Sequence, residues 1–321
     1  MTIKKAVSIA CTAALATLSA GAHAQISGGV VKIGVLTDLS GTYSDLAGSG
    51  AVLATKMAIE DFIAKEKPDF KIEMVSADHQ NKADIASNKA REWFEREGVD
   101  TATELVTTSV ALAVMKIAKE KDRIALMSGP GSTPITNEQC NDVSVHYTYD
   151  TYALANGTAK AVTKQGGKSW FFLTADYAFG QALEKDASAV VTANGGKVLG
   201  SVRHPFPGSD FSSFLLKAQA SGAQVIGLAN AGADTTNAIK QAAEFGITPT
   251  QSLAGLLMFI TDIHSLGLKS TQGMYLTDSW YWDLNEETRA WSKRFFGVQK
   301  KMPTMVQAGQ YSSVYHYLKA V

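Results

Sequence analysis

Five short stretches carry the side chains through which this chain could engage another molecule. They are Asp38, Ser40, Gly41 and Tyr43; Thr107-Thr108-Ser109; Gly129-Pro130-Gly131-Ser132-Thr133; Asp176, Tyr177 and Phe179; and Asn230-Ala231-Gly232. Hydroxyls and main-chain amides of such loops can hold an anion, above all where they open a helix whose first N–H groups are free. Tyrosine and phenylalanine add flat apolar walls with a polar tip. The stretches contain no nucleophile beside a base, and no G-x-S-x-G occurs anywhere in the chain. Asp176 is the one acid there that could join in chemistry, and it reads first as a turn residue or a hydrogen-bond acceptor between lobes. The set describes a pocket that holds a ligand without transforming it, so no enzyme and no catalytic residue is expected.

Other chemistries fail on spacing. Gly48-Ser49-Gly50 hints at a dinucleotide turn, but the third glycine position is Leu53, and Asp78 lies too far on to hold a ribose. Gly166-Gly167-Lys168-Ser169 resembles the end of a phosphate loop, yet it precedes a strand and position 162 is Val162. His79, His146, His204, His264 and His316 form neither H-x-x-x-H nor H-E-x-x-H, so no metal is expected. The paired carboxylates Glu60-Asp61 and Glu286-Glu287 fall on helices and read as solvated faces. No cofactor is implied.

The loops hang on an alternation of strands and helices. Val30–Leu36, Phe70–Ala77, Val99–Val106 and Arg123–Met127 read as buried strands, separated by helices over Gly50–Phe62, Ala83–Glu97 and Ser109–Glu120. A second series follows the turn-rich stretch Asn137–Asp142. It has helices over Thr151–Lys164, Gln181–Ala193, Asp210–Ala220 with Asp210 as N-cap, and Asp234–Phe245 closed by Gly246. Its strands are Ser169–Leu173, Lys197–Val202 and Gln224–Ala229. Such alternation predicts α/β architecture with parallel sheets covered on both faces, and two runs predict two lobes. The expected ligand loops all follow strand C-termini, where open α/β sheets bind.

Composition narrows the setting. Lys4 and Lys5, the apolar run Ala6–Ala20 and Ala22-His23-Ala24 before Gln25 form a secretory signal peptide over residues 1–24, with Cys11 inside its apolar part. Without those two lysines the chain has 28 basic residues against 30 acidic ones, which gives no basic patch for nucleic acid or anionic lipid. Cys140 is the only cysteine beyond the signal, so no internal disulfide can form and the 45% hydrophobic content must build the core. Gln310–Val321 reads as the start of a helix without a stop signal.

Taken together, certain motifs carry a family resemblance. They are Ile33-Gly34-Val35-Leu36 through Ser40-Gly41 and the helix end Ala58-Ile59-Glu60-Asp61. Thr107-Thr108-Ser109 before Ala111-Leu112-Ala113 and Ser128–Thr133 continue the series. Asp176–Gly180 and Ser209-Asp210-Phe211-Ser212 through Gln219–Ala223 complete it. From Val30 to Tyr317 the chain resembles type I periplasmic solute-binding proteins, more closely the leucine/isoleucine/valine-binding branch that serves branched-chain amino acid ABC transporters. The resemblance implies two Rossmann-like lobes with parallel sheets joined by a hinge, the ligand being sealed between them. It places crossings near Tyr147 and Thr277, giving lobe 1 as 25–147 plus 278–321 and lobe 2 as 148–277. The family's third crossing would lie beyond Val321, so the sequence reads as part of a longer chain. A monomer in the periplasm, partnered by an inner-membrane ABC permease, is the implied setting; a ligand-sensing module for a receptor is the alternative.

Amino acid binders of this family neutralise the ligand ammonium with an acid just past a strand near Ser252–Gly255. Here that stretch continues Leu256-Leu257-Met258-Phe259-Ile260, and the next acid is Asp262. An unpaired buried ammonium is costly. The expected ligand is therefore a small carboxylate without an amine, such as a benzoate or cinnamate derivative, in line with a resemblance to aromatic-acid members of the family. A branched-chain or other hydrophobic amino acid remains the alternative if Asp176 or another acid serves the ammonium. The expected roles are a carboxylate cradle of Thr107, Thr108, Ser132 and the Gly131 amide, a sandwich of Tyr43 and Tyr177, and a far end closed by Phe179 and Met258. Asn230 should bond a distal polar group, and Trp280, Tyr281 and Trp282 belong to the rim or to plain packing.

Overall fold

A computed structural model describes residues 26–321, so the signal peptide at residues 1–24 and its cleavage site lie outside the described residues. Two separate parallel sheets organise the chain. The first contains β1 (Val30–Thr37), β2 (Lys71–Asp78), β3 (Thr101–Glu104), β4 (Ile124–Met127) and β5 (Ser144–His146) in the order β2-β1-β3-β4-β5. The second contains β6 (Ser169–Ala175), β7 (Lys197–His204), β8 (Val225–Ala229) and β9 (Ser252–Gly255) in the order β7-β6-β8-β9. In each, the chain starts in the middle, adds one strand to one side, then reverses to the other. That reversal opens a crevice at the strand C-termini, between β1 and β3 and between β6 and β8.

Burial follows position in the sheet. The central β3 and β8 are buried throughout, which is why Val225-Ile226-Gly227-Leu228-Ala229 reads as one apolar run. The edge strand β7 alternates exposed and half-buried residues until its last residue, His204. β3 is shorter than the apolar pattern predicts because Glu104 and Leu105 take φ of 79° and 57° and bend the chain out of the ladder. The helix expected over Ala83–Glu97 runs as Ala83–Glu92 and then widens into a π turn, Trp93–Glu97. Phe211, not Asp210, occupies the N-cap of the helix Ser212–Ala220, although the Asp210 carboxylate still accepts from Ser212 N at 2.9 Å and from its hydroxyl at 2.7 Å. No helix among the described residues is long and apolar enough to cross a membrane.

After the second sheet the chain returns to the first. The helices Glu286–Gln299 and Met305–Ala320 cover the helix Gly48–Glu66, burying Ala54, Met57, Ala58 and Phe62 against Phe295, Val314 and Leu318. One buried side chain fixes this return. Gln310 accepts from the Ser128 hydroxyl at 2.7 Å and donates to the hydroxyls of Thr55 and Thr103, each at 2.8 Å. Gln310→Leu would leave those three buried hydroxyls short of a partner and is expected to cost about 2 kcal/mol, read from the urea midpoint.

The two lobes meet in a single apolar cluster that joins Tyr43, Leu46 and Val106 of the first to Phe179, Ala231 and Leu257 of the second. Hydrogen bonds also cross the gap, from Ala233 N to the Thr42 carbonyl at 3.1 Å and from the Thr133 hydroxyl to Asp186 Oδ2 at 3.0 Å. The lobes are therefore closed on each other.

Candidate ligand cleft between the lobes

The loop after β1 is wound around one buried carboxylate. Asp38 accepts from Gly41 N at 2.7 Å, Tyr43 N at 2.8 Å and Asn81 Nδ2 at 2.6 Å. A Cβ on Gly41 would stand 2.9 Å from the Asp38 oxygens, so a bare glycine lets the turn close. This winding aims Tyr43 across the gap, where its hydroxyl meets that of Tyr177 at 2.5 Å. Tyr177 lies at the N-cap of the helix Ala178–Ala193. Its ring stacks on Phe206, with centroids 4.3 Å apart and planes 18° apart, and Phe206 also leans on Tyr43 at 5.3 Å.

Tyr43, Leu46, Val106, Gly131, Tyr149, Tyr177, Phe179, Ala231 and Leu257 line a cavity of about 10 Å³ between the lobes. Ligand pockets usually measure ~300–1,000 Å³, so the lobes must part to admit anything larger than a water. Tyr149 reaches the wall because Gly131 carries no side chain; a Cβ there would lie 2.6 Å from the Tyr149 ring and 3.3 Å from Phe179. The Tyr149 hydroxyl donates to the Gly129 carbonyl at 2.6 Å. Burial pushes the phenols of Tyr43, Tyr149 and Tyr177 well up from their ordinary range; nearby carboxyls add to the rise, and the hydrogen bond with Tyr43 opposes it only in part at Tyr177, so all three stay neutral.

Beside this wall the helix Thr108–Glu120 begins at Thr107, whose side chain does not cap it. The Thr107 hydroxyl donates instead to Asn81 Oδ1, tying this loop to the Asp38 winding. The hydroxyls of Thr108 and Ser132 are buried and have no protein partner. Thr108 lies two residues after the lining residue Val106, and Ser132 directly after the lining residue Gly131.

The structure thus brings Tyr43, Gly131, Tyr177 and Phe179 to one cavity, while Thr108 and Ser132 are buried in the loops that carry Val106 and Gly131 and are not themselves in its lining. It places three other expected residues elsewhere. Asn230 is fully buried inside the second lobe, where its Nδ2 meets His204 Nε2 at 3.1 Å and its Oδ1 accepts from Thr235 at 2.7 Å. Met258 turns into the second lobe's core, over Gly255, with Phe211 and Ile226; its neighbour Leu257 lines the cavity. Thr107 serves its own loop. Asp176 is half-exposed, 3.5 Å from Arg203 Nη1 and 3.1 Å from Gln181 Nε2. Trp280 packs on the edge of the interlobe cluster and edge-on to Trp291, while Tyr281 contacts Trp282.

Sequence reasoning passed over Leu46, Val106, Tyr149, Phe206 and Leu257, and named Ala231 only as part of its loop, without a role. A signal existed for Phe206, since it lies just past the C-terminus of β7, as Tyr177 does past β6. No group of three or more His, Cys, Asp or Glu side chains among the described residues could hold a metal ion.

The sequence profile of a periplasmic binding protein family matches residues 30–321. The Leu/Ile/Val-binding protein homolog 6 of Brucella abortus (strain 2308) is 29% identical over 217 residues, 66% of this chain and 53% of that protein. The match therefore spans about half the length of that curated relative. Among solved structures, a periplasmic binding protein from Burkholderia mallei superimposes with a TM-score of 0.89 at 58% identity, covering 92% of this chain and 78% of that one. A solute binding protein of an ABC transporter from Rhodopseudomonas palustris BisB5, in complex with 3,4-dihydroxy benzoic acid, gives 0.79 at 19% identity over 91% of this chain and 80% of that one, a likeness of fold.

Proposed function

The chain belongs to the periplasmic binding protein family, and from that premise we propose that it captures a small carboxylate between its lobes and hands it unchanged to an inner-membrane ABC permease. It works in the periplasm, as a monomer, once the signal peptide has been removed. One observation carries this reading: a neutral aromatic wall is drawn from both lobes, and two buried hydroxyls in loops that contribute to it have no protein partner, Thr108 at the start of the helix Thr108–Glu120 and Ser132 directly after the wall residue Gly131. Those two hydroxyls and the Gly131 amide form the carboxylate cradle, helped by the free N–H groups of the helix Thr108–Glu120. Thr107 holds the cradle in place through Asn81. Tyr43, Tyr149 and Tyr177 flank the body of the ligand, and Phe179 and Leu257 close it off. A flat ring suits these walls, which favours a benzoate or cinnamate derivative; the R. palustris protein of the same fold was crystallised with such an acid.

An amino acid is the second reading, favoured by the name of the Brucella relative. The two separate in a thermal-shift and calorimetry panel of benzoate, 4-hydroxybenzoate, cinnamate, leucine, isoleucine and valine. A true ligand at a hundred times its Kd adds about 2.7 kcal/mol of stability and raises Tm by several degrees. Aromatic acids are expected to do so, and the bound compound recovered from the protein should be chemically intact. A response to the three amino acids alone would overturn the amine-free ligand.

A further inference from the structure

One carboxylate outside the cleft wall joins both lobes at a single atom. Asp186 lies in the helix Ala178–Ala193, whose N-cap is Tyr177 and whose second residue is Phe179, both of them in the wall. Its Oδ2 accepts from the Thr133 hydroxyl at 3.0 Å and from the Thr151 hydroxyl at 2.5 Å. Thr133 belongs to the first lobe and directly follows Ser132 of the proposed cradle. Thr151 is fully buried and opens the helix Thr151–Leu154, just past the segment that crosses to the second lobe. Hydrogen bonds to a carboxylate are roughly twice as strong as those between neutral groups.

The loop that carries Thr133 is held by the crossing segment along its length. The carbonyls of Gly129, Pro130 and Gly131 accept in turn from the Tyr149 hydroxyl at 2.6 Å, His146 Nε2 at 2.7 Å and Thr151 N at 2.7 Å. Because the Pro130 carbonyl can only accept, Nε2 carries the imidazole proton, and Nδ1 accepts from the Thr136 hydroxyl at 2.7 Å. Thr133 N completes the set by donating to the Thr151 hydroxyl oxygen at 3.2 Å. These bonds tie the loop to the hinge. The Asp186–Thr133 bond adds what they lack, a direct tie from the loop to the helix behind Tyr177 and Phe179.

We propose that Asp186 is a latch, a positioning residue outside the ligand cavity that holds the closed form by binding Thr133 of the ligand loop to the helix behind the aromatic wall. Parting the lobes breaks the bond to Thr133 and leaves the bond to Thr151, so the carboxylate stays aimed for the next closure. Because Tyr177 and Phe179 ride on the same helix, engaging the latch seats the wall and the loop of Gly131 and Ser132 in one movement. The inference goes beyond the capture reading and rests on it in one respect, that the closed form is the one that retains the ligand.

Disulfide trapping in the purified mature chain tests the latch without any ligand. In a Cys140→Ser background, Thr42→Cys and Ala233→Cys place a pair where Ala233 N meets the Thr42 carbonyl across the gap at 3.1 Å, so the bond forms only while the lobes are closed. Asp186→Ala, a change that suits a helix, should slow trapping about ten-fold, and Thr133→Val should do the same. The two together should slow it no further, since they remove one bond. Asp186→Asn keeps an acceptor oxygen and should recover the rate to within about three-fold of its parent. Urea midpoints of the reduced proteins should stay close to that of the parent. An unchanged rate in Asp186→Ala, additive effects of the two substitutions, or no recovery in Asp186→Asn overturns the inference. Slower trapping with an equally lowered midpoint in every variant overturns it as well, because these residues then serve the fold and not the closure. With 4-hydroxybenzoate as the probe, stopped-flow mixing should show release from Asp186→Ala several-fold faster, with association within about two-fold of the parent. Release at the parental rate counts against the latch. If that acid does not bind, the carboxylate reading is what fails, and the trapping rates decide the latch by themselves.

Discussion

Gly180→Ala is expected to destabilise the protein by about 3 kcal/mol or more and to weaken ligand binding at least a hundred-fold. Gly180 is the third residue of the helix Ala178–Ala193, and its backbone angles suit any residue, so the effect is purely steric. An added Cβ would lie 2.1 Å from the Ala175 carbonyl oxygen, 2.9 Å from its carbon and 3.0 Å from its nitrogen. All three are main-chain atoms at the end of β6, so no side chain can swing away. The start of the helix must lift, and that start carries Tyr177 and Phe179. Displacing it breaks the Tyr177 stack on Phe206 and the contact across to Tyr43. Urea unfolding gives the stability change and calorimetry the affinity. Gly297→Ala is the control, since a Cβ there meets nothing within 4 Å inside the helix Glu286–Gln299. Alanine should leave that site unchanged or raise stability by up to about 1 kcal/mol. A Gly180→Ala protein with the wild-type midpoint would show that the β6 turn can yield.

The architecture was legible because burial writes itself into the strands. Val225–Ala229 is apolar along its whole length since both of its faces are covered, and the edge strand β7 alternates since one face is not. The same logic points to the cleft, because Tyr43 and Tyr177 follow the two strands at which the strand order reverses. Side-chain direction past a strand end is a different matter. Beyond β9 the chain leaves the pleat, so nothing in Leu256-Leu257-Met258 tells which side chain turns to the cleft; Leu257 does, and Met258 turns to the core. Asn230 illustrates a further limit. A polar residue after a strand can face a ligand or a buried partner, and its partner His204 is 26 residues away on another strand. Asp234 reads as an ordinary acid in a helix's first turn, and only packing shows that its second oxygen is stranded.

The closed lobes explain how so small a cavity can belong to a binding site. Polar contacts and one apolar cluster join the halves, among them Tyr43 to Tyr177, Thr42 to Ala233, Thr133 to Asp186, and the rings around them. Asp186 also accepts from the Thr151 hydroxyl at 2.5 Å, so it ties the second lobe both to the first and to the segment that crosses between them. A ligand that enters must replace what these contacts supply, and it can do so only with groups of the same kind: aromatic faces, a donor, and an acceptor. That complementarity biases the hinge toward closure when the right molecule is present.

Glu104→Gln should make the protein more stable at pH 8, by on the order of 4 kcal/mol, and flatten its stability profile between pH 5 and 8. Glu104 is fully buried under the Val106 loop, with Oε2 accepting from Val106 N at 3.1 Å and Oε1 unpartnered, 2.1 Å from where a Cβ on Gly129 would stand. Burial pushes its carboxyl from 4.5 up to about 8, against smaller opposing contributions from Thr37 and Val106 N, with the Asp38 charge adding to the rise. The unfolded chain ionises near the ordinary value, so between about 4.5 and 8 the folded state holds a proton that the unfolded state has lost. Stability is then complete below that window and falls as pH rises through it. Asp234, Asp262 and Asp278, each pushed up to about 7 chiefly by burial, act in the same direction. His79, held down to about 4 by burial, acts in the opposite direction, lowering stability as pH falls from 6.5 toward 4. Wild type should thus be most stable near the middle of the range, and the glutamine variant at a higher pH. Glutamine keeps an acceptor for Val106 N and sets an amide in place of the carboxyl proton, so the bend at Glu104 and Leu105 is retained. Urea midpoints at pH 5 and pH 8 measure the slope directly. A slope in Glu104→Gln equal to that of wild type would mean that the buried acid already ionises freely in the folded state.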